Sequence, residues 1–324
     1  MQAPHLPPTW EGHESVLRPA SEQAHTVLGL FHFQWVVATI VWVLVVAAVL
    51  YAAYRGSRRA VPDVRQEPTL RKWVSIATAL TIVTLVIYLV YDFGVGRAVA
   101  APFGDQTALH ISLTGHQWWW EVTYNDTSPQ HQLSTANEIH VPVGRRVLFT
   151  LTSRDVIHSF WMPNLSGKKD LIPGHTSDVW FVADTPGVYR GQCAEFCGLE
   201  HAKMALVVVA ESPADYRKWY EAQLQPDAQP SDSLRALGQQ VFLTGACALC
   251  HAINGTPAGA HFGPDLTHFG SRMTLAAGTL PNTRGNLGGW LVDPQSIKPG
   301  VHMPSNNLDP KQLRALIAYL EGLQ

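Results

Sequence analysis

The strongest constraint on this chain is a pair of apolar runs too long and too uniform for a water-soluble fold. The first extends from about Val27 to Tyr54 through Trp35, Val36, Val37, Ile40, Val41, Val43, Leu44, Val45 and Val46. The second extends from about Trp73 to Phe93 through Ile76, Leu80, Ile82, Val83, Leu85, Val86, Ile87, Leu89 and Val90. A bilayer core of ~30 Å is crossed at ~1.5 Å per helical residue, so each run is long enough to span it. Unbroken length without a polar face favours membrane spans over the core helices of a soluble domain. Two transmembrane α-helices are therefore expected. Between them lie Arg55, Arg58, Arg59, Arg65, Arg71 and Lys72 against Asp63 and Glu67. An excess of cations in so short a loop predicts that it is cytoplasmic, with both termini and everything after about Gly94 on the outer face. No basic stretch leading into an early apolar core precedes the first span, so no signal peptide is evident there.

At 324 residues the chain exceeds what one hydrophobic core usually organises. Disorder is excluded as a main feature, because 46% of residues are hydrophobic and only 15% charged. A formal charge of −2 lacks the basic face that a nucleic-acid partner would require. From about Gln106 to Val209 short β-rich runs alternate with turn signals: Leu109 to Leu113, Trp118 to Tyr124, Glu138 to Val141, Val147 to Leu151, Asp178 to Phe181, Val188 to Gln192 and Leu206 to Val209. That spacing predicts an antiparallel sandwich or barrel. Helical propensity takes over at Pro213 to Leu224, and Gln225 to Ser233, with Pro226 and Pro230, reads as a linker. The remainder is predicted helical at both ends around a Gly-rich middle. Its last helix is well specified, with Asp309 as cap, Pro310 in the first turn, and a stripe of Leu313, Leu316, Ile317 and Leu320. The expected division is an anchor over 1–104, a β-domain over 105–224, a linker over 225–233 and a helical domain over 234–324.

The four cysteines form two close pairs, which predicts two separate sites. Around the first pair, Cys193, Glu195, Cys197, His201 and Met204 fall within twelve residues, and His158 upstream offers a second imidazole. Thiolate and thioether are soft ligands that select copper over magnesium or calcium, and imidazole suits copper equally. Two adjacent thiolates can bridge two metal ions. A Cys193–Cys197 disulfide is chemically allowed outside the cell, but it leaves His158, His201 and Met204 without a reason. A tetrahedral zinc site could use the two Cys and two His, yet gains nothing from Met204.

Around the second pair, Cys247-Ala248-Leu249-Cys250-His251 is the haem c attachment pattern: two thiols add to the haem vinyl groups and the adjacent His reaches the iron. A redox Cys pair is the alternative, disfavoured by the immediate His. For the sixth ligand, Met303 lies in a loop stiffened by Pro299 and Pro304, while Met273 and His302 are rivals.

These residues carry a resemblance. The chain to about residue 224 resembles cytochrome c oxidase subunit II: two N-terminal helices, Gly115-His116-Gln117-Trp118-Trp119-Trp120, His158-Ser159-Phe160, Asp170 through Gly174, and the loop from Cys193 to Met204. From about residue 234 it resembles a class I cytochrome c, through its attachment motif, Gly263-Pro264-Asp265-Leu266, and a C-terminal helix bearing Leu316 and Tyr319. The resemblance implies a multidomain membrane protein of two transmembrane helices, an all-β cupredoxin sandwich and an all-α cytochrome c domain. It implies a dinuclear copper centre, CuA, bridged by Cys193 and Cys197. His158 and Met204 would complete one copper; His201 and the Glu195 carbonyl would complete the other. The Glu195 carboxylate would share a magnesium ion with subunit I, and Trp118 would receive electrons, unless it is simply aromatic core. Many family members carry an acidic residue just outside the second helix, at the mouth of a proton channel. This chain offers only Asp92, which puts proton uptake by that route in doubt.

The implied role is the electron-input subunit of a haem–copper terminal oxidase in the bacterial inner membrane, two-pass, with the metal domains outside. Electrons would pass from cytochrome c or another periplasmic donor through haem c to CuA. Subunit I, with haem a and a haem–copper site, would then reduce oxygen to water with proton translocation. A nitric oxide reductase subunit, a stand-alone membrane-anchored electron carrier and a copper-delivery protein are the alternatives. Nitrous oxide reductase also has a CuA loop, but this chain lacks that enzyme's catalytic copper domain.

Overall fold

The computed structural model describes residues 14–57, 67–100, 107–126, 128, 131–226, 229–230 and 232–324. Arg58, Arg59, Asp63 and Arg65 of the predicted cytoplasmic loop, the expected domain boundary at 104, and residues 227, 228 and 231 of the expected linker lie outside the described residues.

Helices α1 (Glu22–Gly56) and α2 (Glu67–Val99) each extend beyond the apolar runs. Their polar ends continue the helix, with Glu22 in the first turn of α1, Arg55 in its last and Arg97 in the last turn of α2, each charge favourable to the helix dipole. Asp92 lies within α2 rather than after it. Trp42, Leu44, Leu80 and Val90 point outward, as residues facing lipid do. The two helices meet through the Gln34 amide, which donates to the Tyr88 hydroxyl. Phe33 adds a parallel ring contact with Tyr88 at 6.5 Å and an edge contact with Tyr91 at 5.0 Å. A polar pair of this kind fixes the register of two otherwise featureless apolar helices.

The β-domain has ten strands: β1 (Leu109–His116), β2 (Trp119–Asn125), β3 (Leu133–Ala136), β4 (Glu138–Pro142), β5 (Arg146–Ser153), β6 (His158–Trp161), β7 (Lys169–Leu171), β8 (Ser177–Val182), β9 (Gly187–Cys193) and β10 (Ala205–Glu211). They form two five-stranded sheets, ordered β3-β2-β1-β5-β8 and β4-β10-β9-β6-β7. Strict alternation of buried and half-buried residues along β1, β2 and β5 turns Ile111, Leu113, Trp120, Val122, Phe149 and Leu151 inward. Phe160, Leu171, Tyr189, Leu206 and Val208 meet them from the second sheet. The antiparallel expectation needs correction: β1 with β5 and β4 with β10 are parallel pairs. Strand spacing along the chain limits the turns between neighbours but does not say which distant strands end side by side. Strands β3, β6 and β7, at most four residues each, are too short to show a periodic signal.

Residues 14–24 pack with this domain. Ala20 joins its core, Ser21 bridges Ala183, the Gln23 side chain accepts from the Val182 amide at 3.1 Å, and Arg190 pairs with Glu14 at 2.7 Å. Helix α3 (Pro213–Gln223) closes the domain, its first turn capped by Ser212.

The C-terminal domain is built from α4 (Ser233–Thr244), the short hairpin β11 (Thr274–Leu275) and β12 (Leu280–Pro281), α5 (Arg284–Val292), α6 (Pro294–Ile297) and α7 (Pro310–Gly322). Asp309 and Gln312 form a reciprocal capping box at the start of α7. Leu316, Ile317 and Leu320 are buried, and the Phe242 ring of α4 meets Tyr319 edge-on at 6.2 Å. The Gly-rich middle is not merely loop, since α5 contains Gly285, Gly288 and Gly289.

This domain packs on the outer face of the second β-sheet. The run Ala205-Leu206-Val207-Val208-Val209 has no polar alternation, because Met273 covers the Val207 and Val209 face while Leu206 and Val208 face the sandwich core. The Ala205 amide donates to the Ala277 carbonyl at 2.9 Å, and the Met273 amide to the Glu138 carboxylate at 2.9 Å.

Candidate functional site

The end of β9, the loop after it and the start of β6 bring the soft donors together. Sγ of Cys193 lies 3.8 Å from Sγ of Cys197, 3.9 Å from Nδ1 of His158 and 3.2 Å from the Glu195 carbonyl oxygen. Sγ of Cys197 lies 3.6 Å from Nδ1 of His201 and 3.8 Å from Sδ of Met204. The other four groups singled out in the sequence, His158, the Glu195 carbonyl, His201 and Met204, thus surround one sulfur pair. The sulfurs stand well beyond the ~2.05 Å of a disulfide bond, and all four cysteines are free. Both thiols, His158 and Met204 are buried, whereas Glu195 is exposed, its carboxylate accepting from its neighbour's amide, Phe196 N, at 3.0 Å.

Local structure explains this convergence. The Cys193 amide donates to the Met204 carbonyl and the Ala194 amide to the Ser159 carbonyl, each at 2.9 Å, so the loop is pinned at both ends. Residue 115 must be glycine, since a Cβ there would lie 2.7 Å from Cδ2 of His158. The two sulfurs stand within hydrogen-bonding reach of each other, at 3.8 Å. Hydrogen bonding from Cys197, and then from His158, holds the Cys193 thiol down to about 3 against the opposing effect of burial, while the same contact pushes Cys197 up. A metal ion arriving at Cys193 would meet a thiolate already formed.

Two residues that sequence reasoning did not assign, Asp155 and Gln117, complete the arrangement together with Trp118. Asp155 accepts from Nε2 of His158 at 2.8 Å, leaving Nδ1 turned toward the thiols. Burial opposes ionisation of that ring, but Asp155 and Cys193 raise its pKa above the ordinary value. The Gln117 side chain and the Trp118 indole N–H both donate to the Cys197 carbonyl, at 2.8 and 3.0 Å. Trp118 is at once part of the buried aromatic core, which it shares with Trp120, and a donor to the cysteine loop. A spacing of three from His158 was the available signal for Asp155. Nothing in the sequence linked Gln117 to a loop 80 residues on.

In the helical domain, Cys247 to Leu249 form a short 3-10 turn that brings Cys250 and His251 after it. Nδ1 of His251 donates to the Pro264 carbonyl at 2.7 Å, which leaves Nε2 as the free lone pair. Burial lowers the pKa of this ring and so favours its neutral, ligating form. Gly263 lies against it, where a Cβ would come within 2.7 Å of the ring. Met303 is half-buried at the edge of the domain core, in a loop held by the Gln295 amide, which donates to the Val301 and Met303 carbonyls at 2.7 and 2.8 Å. The rivals are used elsewhere: Met273 packs on Val207 and Val209, and His302 places its ring 5.8 Å from Trp118.

Residues 127–211 match the family described as cytochrome c oxidase subunit II, periplasmic domain, and residues 235–324 match cytochrome c. The chain is 34% identical over 321 residues to cytochrome c oxidase subunit 2 of Alkalihalophilus pseudofirmus, covering 97% of this chain and 92% of that protein. Against the Bacillus subtilis protein of the same name the figures are 29%, 96% and 92%. The crystal structure of the periplasmic domain of subunit II of cytochrome oxidase from Bradyrhizobium japonicum aligns with 38% of this chain and 96% of that one, at 31% identity and a TM-score of 0.35. With two apolar helices, a β-sandwich bearing the clustered sulfur and imidazole donors, and near full-length likeness to a named relative, this chain belongs to the cytochrome c oxidase subunit II family, in a form that carries a C-terminal cytochrome c domain.

Proposed function

We propose that this membrane-anchored chain is the electron-input subunit of a haem–copper terminal oxidase and relays electrons from haem c to a copper centre in its β-domain. The observation that carries the reading is the enclosure of the Cys193–Cys197 sulfur pair by His158, His201, Met204 and the Glu195 carbonyl. Two thiolates, two imidazoles, a thioether and a carbonyl fit a pair of copper ions bridged by sulfur, and a zinc site would leave the thioether unused. When bound, such a pair takes up and releases one electron with little change in bond lengths.

The chain's own residues make that possible by holding still. Asp155 fixes the His158 ring, while Gln117 and Trp118 fix the Cys197 carbonyl, so the donors are set before any metal arrives. Cys247 and Cys250 would tether the haem, and His251 and Met303 would hold its iron. One tether carrying both centres holds them at high effective concentration, so no diffusive encounter is needed between them. A domain division at 104, 224 and 233 accounts for these parts.

The cationic residues between the spans support a cytoplasmic loop, with the metal domains on the outer face of a bacterial inner membrane. Subunit I would be the onward acceptor, and cytochrome c or another periplasmic protein the donor. Relatives named as cytochrome c oxidases favour oxygen over nitric oxide as the final acceptor. The exposed Glu195 carboxylate is free to give a hard oxygen ligand to magnesium at the subunit I boundary. Copper and haem analysis of the purified complex, with Cys197→Ser beside the wild type, tests the reading. The variant should lose the near-infrared band and the dinuclear paramagnetic signal while keeping haem c; persistence of both signals would overturn the bridging role.

A further inference from the structure

Lys298 is 1% exposed, although lysine is almost never fully buried without a partner. Its Nζ donates to the Trp118 carbonyl at 2.7 Å and to the Ala276 carbonyl at 3.2 Å. The first acceptor belongs to the β-domain and the second to the helical domain. Desolvation pushes the ammonium down to about 7, so retaining it there carries a cost that an apolar side chain would avoid. Neither the haem-attachment motif nor the sulfur cluster uses this amine. Its position along the chain is what gives it meaning, because His302 and Met303 follow in the same loop.

That loop meets the copper-side residues at Trp118, which is 6% exposed. The His302 ring stands 5.8 Å from the indole at a tilt of 47°. On its other side the indole N–H donates to the Cys197 carbonyl at 3.0 Å. One residue is thus held through its carbonyl by the helical domain and through its indole by the cysteine loop. Lys203 adds a second crossing, donating to the Ile297 carbonyl at 2.7 Å.

We propose that Lys298 is the positioning residue that seats the Met303 loop on Trp118, making the Trp118–His302 ring pair the contact through which an electron leaves the haem domain. This deepens the function proposed above and rests on it. The event balances as one electron: the haem iron is oxidised by one, the copper pair is reduced by one, and no bond or proton moves. A soluble donor consequently meets the haem domain, because Trp118 is already covered.

The test uses the full chain in its purified complex, with Lys298→Met, Lys298→Gln and His302→Leu beside the wild type. Hydrogen exchange at the Ala205 and Met273 amides, whose acceptors lie across the interface, reads docking without reference to redox activity. Loss of a buried donor to two carbonyls should speed their exchange in Lys298→Met by about tenfold or more, with Lys298→Gln recovering part of the protection. Flash-initiated haem-to-copper transfer should slow in the same order, by about tenfold in Lys298→Met. His302→Leu should keep wild-type exchange and still slow transfer. Unchanged exchange and transfer in Lys298→Met would overturn the positioning role, and wild-type transfer in His302→Leu would overturn the ring contact. Should Lys298→Met also lose protection in β5, showing general unfolding, Lys298→Gln decides by the same two readouts. A wild type without copper signals would sink the function proposed above, while the exchange comparison would still decide how the domains are held.

Discussion

Replacing Asp155 with alanine should weaken copper binding by about 10–100-fold, and the structure shows why the loss falls there. The carboxylate accepts three hydrogen bonds, from His158 Nε2 at 2.8 Å, the Val156 amide at 2.7 Å and the Gln117 amide at 2.7 Å. Both amides belong to exposed or half-exposed backbone, where water can substitute. The His158 side chain is 0% exposed, so its Nε2 has no such replacement. A lost charge-assisted bond at a buried partner costs ~1.5–3 kcal/mol, which is the same ~10–100-fold in affinity. The release of Gln117 adds to this, because its side chain holds the Cys197 carbonyl. Copper titration of the apo full-length protein against a competing chelator measures the effect, and Asp155→Asn, which keeps an acceptor without its charge, should fall between. Wild-type affinity in Asp155→Ala would refute the claim that the ring is set by this carboxylate.

Two methionines should separate cleanly. Met303→Ala is expected to change the haem spin state or potential with little effect on domain stability, whereas Met273→Ala should leave the haem spectrum intact and destabilise by ~2–5 kcal/mol through a cavity beside Val207 and Val209; reversed spectra would exchange the roles. His140 should confer a pH-dependent contribution to stability. Burial lowers its pKa, but Glu138 at 3.2 Å and Glu211 at 3.3 Å prevail and raise it, with the Trp219 ring stacked at 4.1 Å and the Tyr124 hydroxyl on its backbone. Arg272, on the helical-domain side, faces Glu138 and draws on the same carboxylate. A raised folded pKa means the stabilisation is complete below the ordinary ~6.5 and is lost as pH climbs through the folded value. The Tm gap between wild type and His140→Gln should therefore narrow as pH rises above ~6.5, and a constant gap would refute the assignment.

Much of the site was legible because its donors are close in sequence. Cys193 to Met204 span twelve residues and Cys247 to His251 five, so ligand chemistry and spacing suffice without knowledge of the fold. The apolar runs likewise reveal their own environment, since a helix that is hydrophobic on every side over that length is stable in lipid and not in water. The last helix was readable to its capping residue, because Asp309 and Gln312 act within one turn.

Tertiary structure alone decided what joins distant segments. Gln117 and Trp118 reach Cys197 across some 80 residues, and Asp155 steers His158 only because β6 begins where that turn ends. The parallel pairing of β1 with β5 depends on which strands become neighbours in a folded sheet, a global outcome with no local signal. The apolar run of β10 is covered on both faces, and nothing in it named Met273 as the cover of one. Lys298 reads in the sequence as one more surface cation; only the packing of two domains turns it into a buried donor bridging them. Local chemistry is written in residue types and short spacings, whereas contacts between separately folded layers arise from the shape that the whole chain reaches, and these set the path between the two redox sites.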